Sequence, residues 1–318
     1  MTLFCGFGRN CSYICEREIT QLIMTIMKRL SLIIALTMLA MASQAQLLWK
    51  VNGSSLARPS YILGTYHLAP VSMLDEIPGF DQALEGCDVV VGELDKEEMK
   101  NPGGLMSLAS TMMAPADSTL DKLFTPQELQ VIEQVFNKYC GAIGLPFSLL
   151  GRLKPEAVNM LITQMRVSAL DTDNTNYIDM GVQYRGAKLG RPSMGLETMR
   201  EQAELMFNSP IAEQAKRLLE ACEDDDVQDE MSQALKQAYM SQDLVKLEEV
   251  FRQSAGDNWG DARMDALLTH RNINWVEKLV KIMPERACLV CVGAGHLLGD
   301  KGLLQLLRDQ GYTVEPVQ

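Results

Sequence analysis

Six short apolar runs, separated by longer segments of helical periodicity, dominate the pattern of the chain. Short runs rich in Val, Ile, Leu and aromatic residues, bounded by glycine or polar residues, are typical of buried strands. The predicted strands are Leu47–Val51, Tyr61–Leu63, Asp88–Val91, Ser193–Leu196, Ala287–Val292 and Tyr312–Val317.

Apolar residues spaced three or four apart fill most of the intervening sequence and predict helices. Thr125 and Pro126 are typical of a helix start, because Thr caps free N–H groups and Pro fits the first helical position. The predicted helices are Met73–Leu84, a helix from Pro126 to about Tyr139, one that ends before Gly190, a nearly continuous series from Thr198 to Met283, and Gly299–Gln310. Loops are predicted at Asn101–Gly104 and Asp171–Thr175, and the acidic run Glu223–Asp226 is interpreted as a solvated turn between helices.

The order of these elements predicts an α/β fold. Strands at both ends of the chain, with a helix-rich middle, are typical of a mixed central sheet formed by the N- and C-terminal segments. Residues from about 100 to 285 would then be a large helical insertion within a single domain over residues 46–318. That length suits one α/β domain.

The first 45 residues predict a cleaved signal peptide. The basic start Met27-Lys28-Arg29 precedes the apolar run Leu30–Ala42, and the small residues of Ser43–Ala45 indicate cleavage after Ala45. The apolar run is shorter than the roughly 20 residues of a transmembrane helix. We therefore expect a periplasmic or secreted protein without a transmembrane span in its mature part, translated from Met24 or Met27.

The net charge excludes one class of partner. The chain carries a net charge of −12, and removal of a leader with four basic and two acidic residues moves this to about −14. An acidic protein repels nucleic-acid phosphates instead of releasing their counterions. We therefore expect no nucleic-acid partner.

The cysteines after residue 45 are odd in number, so they cannot all form disulfides within one chain. They are Cys87, Cys140, Cys222, Cys288 and Cys291. Cys288 and Cys291 have CxxC spacing, but they belong to a predicted strand, where residues three apart point to opposite faces. We interpret these cysteines as buried thiols, while a Cys140–Cys222 disulfide stays open.

Ionisable residues follow four of the predicted strands. His67, Glu93, Glu197 and His296 each come shortly after a strand, with glycine close by. In open α/β sheets, ligands bind outside the carboxyl ends of the strands, and glycine lets the backbone approach a ligand closely. These four residues are therefore the candidate site.

Two imidazoles with one or two carboxylates are a suitable set of ligands for Zn²⁺, Mn²⁺ or Co²⁺. A divalent metal held by His67, His296 and Glu93 would activate water for hydrolysis, and a remaining carboxylate could act as general base. No two of these residues are close in sequence. The spacing therefore also allows a structural interpretation, in which both histidines cap turns and Glu93 forms an ion pair.

Arg271 is a charged residue on the apolar stripe of a helix predicted over residues 261–283. The apolar members of that stripe are Met264, Leu268, Trp275, Leu279 and Ile282. Arg271 needs a partner, because burial of an unpaired charge is costly. The partner is either a substrate carboxylate or oxyanion, or Glu93 or Glu197 in an internal salt bridge. His270 points to a different face and is interpreted as a surface residue.

Five segments of the chain resemble the TraB/PrgY/GumN family, which is related to the Tiki metalloproteases. The segments are Tyr61–His67, Val89–Glu93, Gly195–Thr198 with Gln202, Arg271-Asn272 before Trp275, and Val292–Gly299 continuing through Gly302 to Gly311–Val314. Two GxxH motifs, which end at His67 and His296, are the hallmark of that family. Asp179 also lies at a family position, although Tyr177 replaces the glycine usual two residues before it.

The resemblance implies a mixed α/β core shared with erythromycin-esterase-like and ChaN-like proteins, and metal-dependent hydrolysis of peptides. By that resemblance His67, His296 and Glu93 hold a divalent metal. Arg271 supports the site, and Glu197 is a further candidate catalytic residue without an assigned step. Two other functions stay open: a non-catalytic protein that binds a peptide or haem-like ligand in the same cleft, and a metal-independent esterase that uses a histidine or glutamate as base.

Overall fold

The central sheet is built from the six runs predicted as strands. The computed structural model describes residues 46–67, 69–169, 177–256 and 262–317. The strands are β1 (Leu48–Asn52), β2 (Ser60–Thr65), β3 (Val89–Gly92), β4 (Ser193–Gly195), β5 (Cys288–Gly293) and β6 (Thr313–Pro316). Each predicted strand is therefore confirmed, with its ends shifted by no more than two residues.

The strands lie in the order β4-β3-β5-β2-β1-β6. The first four strands of that order run parallel to one another, whereas β1 pairs antiparallel with both β2 and β6. In the register, Thr65 pairs with Gly293, and Gly92 pairs with both Cys291 and Gly195. The carboxyl ends of the four parallel strands therefore meet at one edge of the sheet. The predicted mixed sheet is confirmed.

Helices occupy most of the remaining described residues. The α-helices are α1 (Phe80–Gly86), α2 (Pro102–Met112), α3 (Leu120–Leu123), α4 (Pro126–Cys140), α5 (Pro155–Ala169), α6 (Ile178–Lys188), α7 (Met199–Phe207), α8 (Ile211–Glu223), α9 (Asp225–Met240), α10 (Leu244–Ala255), α11 (Ala262–Met264), α12 (His270–Ile282) and α13 (Leu303–Asp309). A π-helical turn, Asp265–Thr269, joins α11 to α12. Short 3₁₀ segments lie at Val71–Glu76, Glu98–Lys100, Gly141–Ile143, Phe147–Arg152 and Ala294–Leu297. The predicted helical insertion is confirmed, and β4 lies inside it as an edge strand.

Two main groups of buried apolar residues hold these elements together. The larger group surrounds the sheet, where β3 and β5 are buried along their whole length. Such continuous burial is typical of strands in parallel sheets. The second group lies between α4, α5 and α8, with Phe136, Val158 and Leu218 fully buried. The insertion therefore has an apolar core of its own, apart from the sheet that carries the candidate site.

Three predictions about where helices begin and end, or where a loop lies, are wrong. Met73–Leu84 is not one helix, because Pro78-Gly79 separates the 3₁₀ segment from α1 and Gly79 has a φ of 74°. Asn101–Gly104 is not a loop, since the Asn101 side chain accepts from the Gly103 N–H at 2.9 Å and caps α2. The last helix begins at Leu303 instead of Gly299. By contrast, the predicted Thr125 cap is confirmed, as a capping box with Glu128.

Residues 1–45, predicted to be a signal peptide, and the loop predicted at Asp171–Thr175 lie outside the described residues, so both stay predictions. In the parts of the chain that the structure describes, none of the helices has the length and apolar character that a bilayer crossing requires.

The five cysteines after residue 45 are all buried free thiols, including Cys140 and Cys222. Burial raises the pKa of Cys222 and of Cys288 to about 12. Because the thiolate is the reactive form, a chain that begins at Gln46 should react with a thiol reagent only on unfolding. A colorimetric thiol assay at pH 8 should then count five reactive thiols per chain in denaturant and almost none in the native protein. Rapid reaction of the native protein would contradict this arrangement.

Candidate active site

Five ionisable side chains come together at the carboxyl edge of the sheet. His67, Glu93, Glu197 and His296 follow β2, β3, β4 and β5, and Arg271 reaches them from the first turn of α12. Glu93, Glu197 and His296 are buried, whereas the side chain of His67 is 63% exposed. His67 therefore marks the side from which solvent reaches the cluster.

Glu93 lies at the centre of this cluster. Its Oε1 is 4.0 Å from Nε2 of His67 and 3.9 Å from Nε2 of His296. The same oxygen accepts a hydrogen bond from the Gly293 N–H at 2.8 Å. Its other oxygen, Oε2, accepts from Nη2 of Arg271 at 2.5 Å. One carboxylate oxygen thus faces both imidazoles, which come from strands far apart in the sequence.

Both imidazoles are oriented through their Nδ1 atoms. Nδ1 of His67 lies 2.9 Å from Oδ2 of Asp179, and Nδ1 of His296 lies 2.7 Å from Oδ1 of Asn272. Because carboxylate and amide oxygens accept hydrogen bonds, each Nδ1 is the donor. A neutral imidazole then carries its lone pair on Nε2, the atom that faces Glu93. Tethering of this kind is typical of histidines that bind metals.

Arg271 binds both carboxylates and one histidine. Its Nε and Nη2 donate to Glu197 at 3.1 and 2.6 Å, and Nη1 donates to Nε2 of His296 at 3.0 Å. Nη1 also donates to the Leu267 carbonyl at 3.1 Å, in the π-helical turn that precedes α12. The partner left open by the sequence is therefore internal, and Arg271 bridges Glu93 and Glu197. The surface interpretation of His270 is confirmed, since this residue is exposed.

The charges of the cluster follow from these contacts. Burial opposes ionisation of Glu93, but the two imidazoles, Arg271 and the Gly293 N–H outweigh it and lower the pKa of Glu93 to about 2. Burial lowers the pKa of His296 to about 3. The negative charge of Asp179 raises the pKa of His67 to about 9. At neutral pH Glu93 is therefore ionised, His296 is neutral and His67 carries a proton.

Asp179, Asn272 and Gln202 complete the cluster, although sequence reasoning assigned them no role. Gln202 Nε2 donates to both Glu93 and Glu197, at 3.3 and 2.9 Å. A polar residue on the buried side of α12, directly after Arg271, was a usable signal for Asn272. Asp179 lies more than a hundred positions from His67, so only the family resemblance pointed to it.

The fit of a divalent metal depends on donor type, direction and spacing. Two Nε2 atoms and a carboxylate oxygen are suitable donors for Zn²⁺, Mn²⁺ or Co²⁺. Two ligands that each lie about 2 Å from a shared ion are at most about 4 Å apart. The separations at Glu93 Oε1 are at that limit, and within the described ranges no trio of His, Cys, Asp or Glu side chains is spaced to hold an ion as it stands. The donor types fit a divalent metal, and the distances between the donors must shorten before they can share one ion.

Asp179→Asn should remove a pH dependence from the stability of the protein. The raised pKa of His67 means that its ion pair with Asp179 stabilises the fold fully below about pH 6.5. This contribution is lost as pH rises through about 9, the pKa in the folded state. We expect the free energy of unfolding, measured by urea denaturation in EDTA, to fall across that window in the wild type and to change less in the variant. An NMR titration in which His67 keeps its high pKa in the variant would contradict the assignment.

A surface cavity of about 340 Å³ adjoins the cluster on the side of Glu197 and Arg271. Trp275 and Leu196 line its apolar part, and Glu201 and Lys278 line its polar part. Six of its nine lining residues are polar or charged, so the cavity is a mainly polar depression beside the cluster.

Comparison with known proteins places this cluster in a family context. A family model described as the TraB/PrgY/gumN family matches residues 47–316. No curated protein and no solved structure matches the chain significantly. The matched residues contain all of the side chains that form the candidate site.

Proposed function

The chain belongs to the TraB/PrgY/gumN family, and from that premise we propose that it is an exported metal-dependent hydrolase that acts on peptides. One observation carries the proposal: Nε2 of His67 and Nε2 of His296 face the same oxygen of Glu93. Each Nδ1 is held by a hydrogen bond, so the two Nε2 atoms are the ring nitrogens that would coordinate an ion. Export rests on the signal peptide predicted for residues 1–45.

His67, His296 and Glu93 would hold the metal, which is Zn²⁺, Mn²⁺ or Co²⁺ by the chemistry of these donors. When bound, such an ion lowers the pKa of a coordinated water and polarises a carbonyl group, which is the chemistry that peptide hydrolysis needs. Asp179 and Asn272 hold the two Nδ1 atoms through hydrogen bonds and would thereby leave both Nε2 atoms to coordinate the ion.

The remaining residues of the cluster act on the substrate and its protons. Arg271 would stabilise negative charge that develops on the scissile carbonyl oxygen through the Nη1 N–H that metal binding would release from His296. Glu197 holds that guanidinium in place through two hydrogen bonds. Glu93 is ionised at neutral pH and can also accept a proton from the attacking water. A peptide would reach the cluster from the exposed side of His67.

The proposal is tested by metal content together with turnover. Protein purified without added chelator should contain close to one divalent transition metal per chain by elemental analysis. A library of unstructured peptides should be cleaved, EDTA should stop cleavage, and one of Mn²⁺, Co²⁺ or Zn²⁺ should restore it. Tight peptide binding without cleavage by the metal-loaded protein would instead favour the non-catalytic binder.

The contact between Arg271 and His296 favours a second candidate, a metal-independent esterase. There the guanidinium would remain on His296, and either Glu93, which is ionised at neutral pH, or the neutral form of His67 would be the base that takes a proton from the attacking water. The two candidates differ in one result. Ester hydrolysis that survives EDTA, with no metal in the purified protein, supports the esterase and excludes the metal-dependent enzyme.

A further inference from the structure

One guanidinium contacts two of the three proposed metal ligands. Arg271 donates from Nη1 to Nε2 of His296 at 3.0 Å and from Nη2 to Oε2 of Glu93 at 2.5 Å. A neutral imidazole has a single lone pair on Nε2. That lone pair can accept a hydrogen bond from Arg271 or coordinate an ion, but it cannot do both.

We infer that Arg271 is an internal cation that competes with the divalent metal for His296 and Glu93, an inference that rests on the proposed metal-dependent function. Metal binding at His296 requires that Nη1 leave Nε2. It also places a doubly charged cation close to a guanidinium that already neutralises the negative charge of Glu93. Both effects weaken metal binding relative to a site with the same ligands and no arginine.

Arg271 can break its hydrogen bond to His296 and still be held in position by its other contacts. Glu197 holds Nε and Nη2, the Leu267 carbonyl accepts from Nη1, and the guanidinium stacks on the Trp275 ring, with Cζ at 4.5 Å from the ring centroid. These contacts do not involve a proposed metal ligand. We therefore assign Glu197 the role of the carboxylate that retains Arg271 when the metal enters.

The competition predicts that removal of the arginine strengthens metal binding. Calorimetric titration of Mn²⁺ and of Co²⁺ should give a lower Kd for Arg271→Met than for the wild type. We expect a gain on the order of ten- to a hundredfold, equal in size and opposite in direction to the loss caused by removing neighbours that support metal ligands. Thermal unfolding in the presence of the metal should show a correspondingly larger stabilisation for the variant.

Two further variants keep the result interpretable. Arg271→Met leaves Glu93 and Glu197 without their counter-charge and can destabilise the fold, so the double variant Arg271→Met/Glu197→Gln removes one charge of each sign. It should also bind the metal more tightly than the wild type. Arg217→Met removes a different partly buried arginine, which pairs with Glu156 away from the site, and should leave Kd unchanged.

The outcomes separate this inference from the proposed function. Tighter binding by the folded variants supports both. Metal binding by the wild type that stays equal or becomes weaker in both folded variants overturns the competition and leaves the metal-dependent function standing. The absence of metal binding in the wild type and in all variants overturns both proposals.

Discussion

Gly293→Ala should reduce metal-dependent peptide turnover by at least about 100-fold and leave the fold intact. A Cβ at this position would lie 3.3 Å from both Glu93 Oε1 and His67 Nε2, and 3.6 Å from Cδ2 of His296. The added methyl group would therefore stand among the three proposed ligands and keep them from closing around an ion. This substitution removes no candidate ligand. It therefore tests whether the space between the three ligands is needed for metal binding.

The backbone of Gly293 can accept alanine. Its φ of −51° and ψ of 134° lie in a region open to L-residues, so the effect does not depend on backbone strain. The measurements are kcat/KM, metal content by elemental analysis, and thermal unfolding by circular dichroism. We expect the first two to fall sharply while the unfolding transition remains cooperative.

Gly295→Ala is the matched control. A Cβ there also meets its nearest neighbour at 3.3 Å, but that neighbour is the ring of Phe251, outside the cluster of candidate ligands. The control substitution introduces similar crowding in the same loop, but away from the candidate ligands. We therefore expect a small loss of stability and nearly normal turnover. If Gly293→Ala keeps full activity, or if both variants lose activity equally, the space between the imidazoles is not where the metal binds.

Arg166→Met should lower the free energy of unfolding by about 3 kcal/mol or more. The side chain of Arg166 is 2% exposed, and its Nη2 donates to Asp225 at 2.7 Å while Nε lies 3.1 Å from Asp229. The guanidinium also stacks on Tyr139, with Cζ 4.8 Å from the ring centroid. Its removal takes the buried counter-charge from these two partly buried carboxylates, which then keep only the exposed Lys138, and loss of a buried partner is strongly destabilising.

Lys138→Met is the control for this prediction. Lys138 binds the same two carboxylates, at 2.7 and 3.1 Å, but its side chain is 46% exposed. An exposed ion pair contributes at most about 1 kcal/mol. Urea denaturation of both variants should show the larger loss for Arg166→Met. Equal losses in the free energy of unfolding would mean that the buried ion pairs of Arg166 stabilise the fold no more than the exposed ion pairs of Lys138.

The same network corrects the interpretation of the acidic run Glu223–Asp226. The helices α8 and α9 do meet within this run, with the turn at Asp224 alone. The run is not simply solvated, because Asp225 pairs with the buried Arg166. The sequence of such a run does not indicate which of its acidic residues pairs with a buried partner, since that depends on how α5 packs beside the turn.

The location of the candidate site was predictable from the sequence for a physical reason. Apolar runs predict buried strands, buried parallel strands end at a common edge, and residues just after those ends must share that edge. His67, Glu93, Glu197 and His296 all followed from this argument. Helix ends were less predictable, as Asn101 shows, because Asn-Pro-Gly-Gly is as typical of a loop as of a capped helix start.

By itself the sequence determined the six strands, the helical middle and the edge at which ionisable residues gather, since these depend on the local spacing of apolar residues. Only the tertiary structure decided which nitrogen of each histidine faces Glu93, that Asp179 orients His67, and that Arg271 donates to His296. Such contacts join residues brought together by packing across the sheet and between helices, with distances and angles that no local pattern encodes.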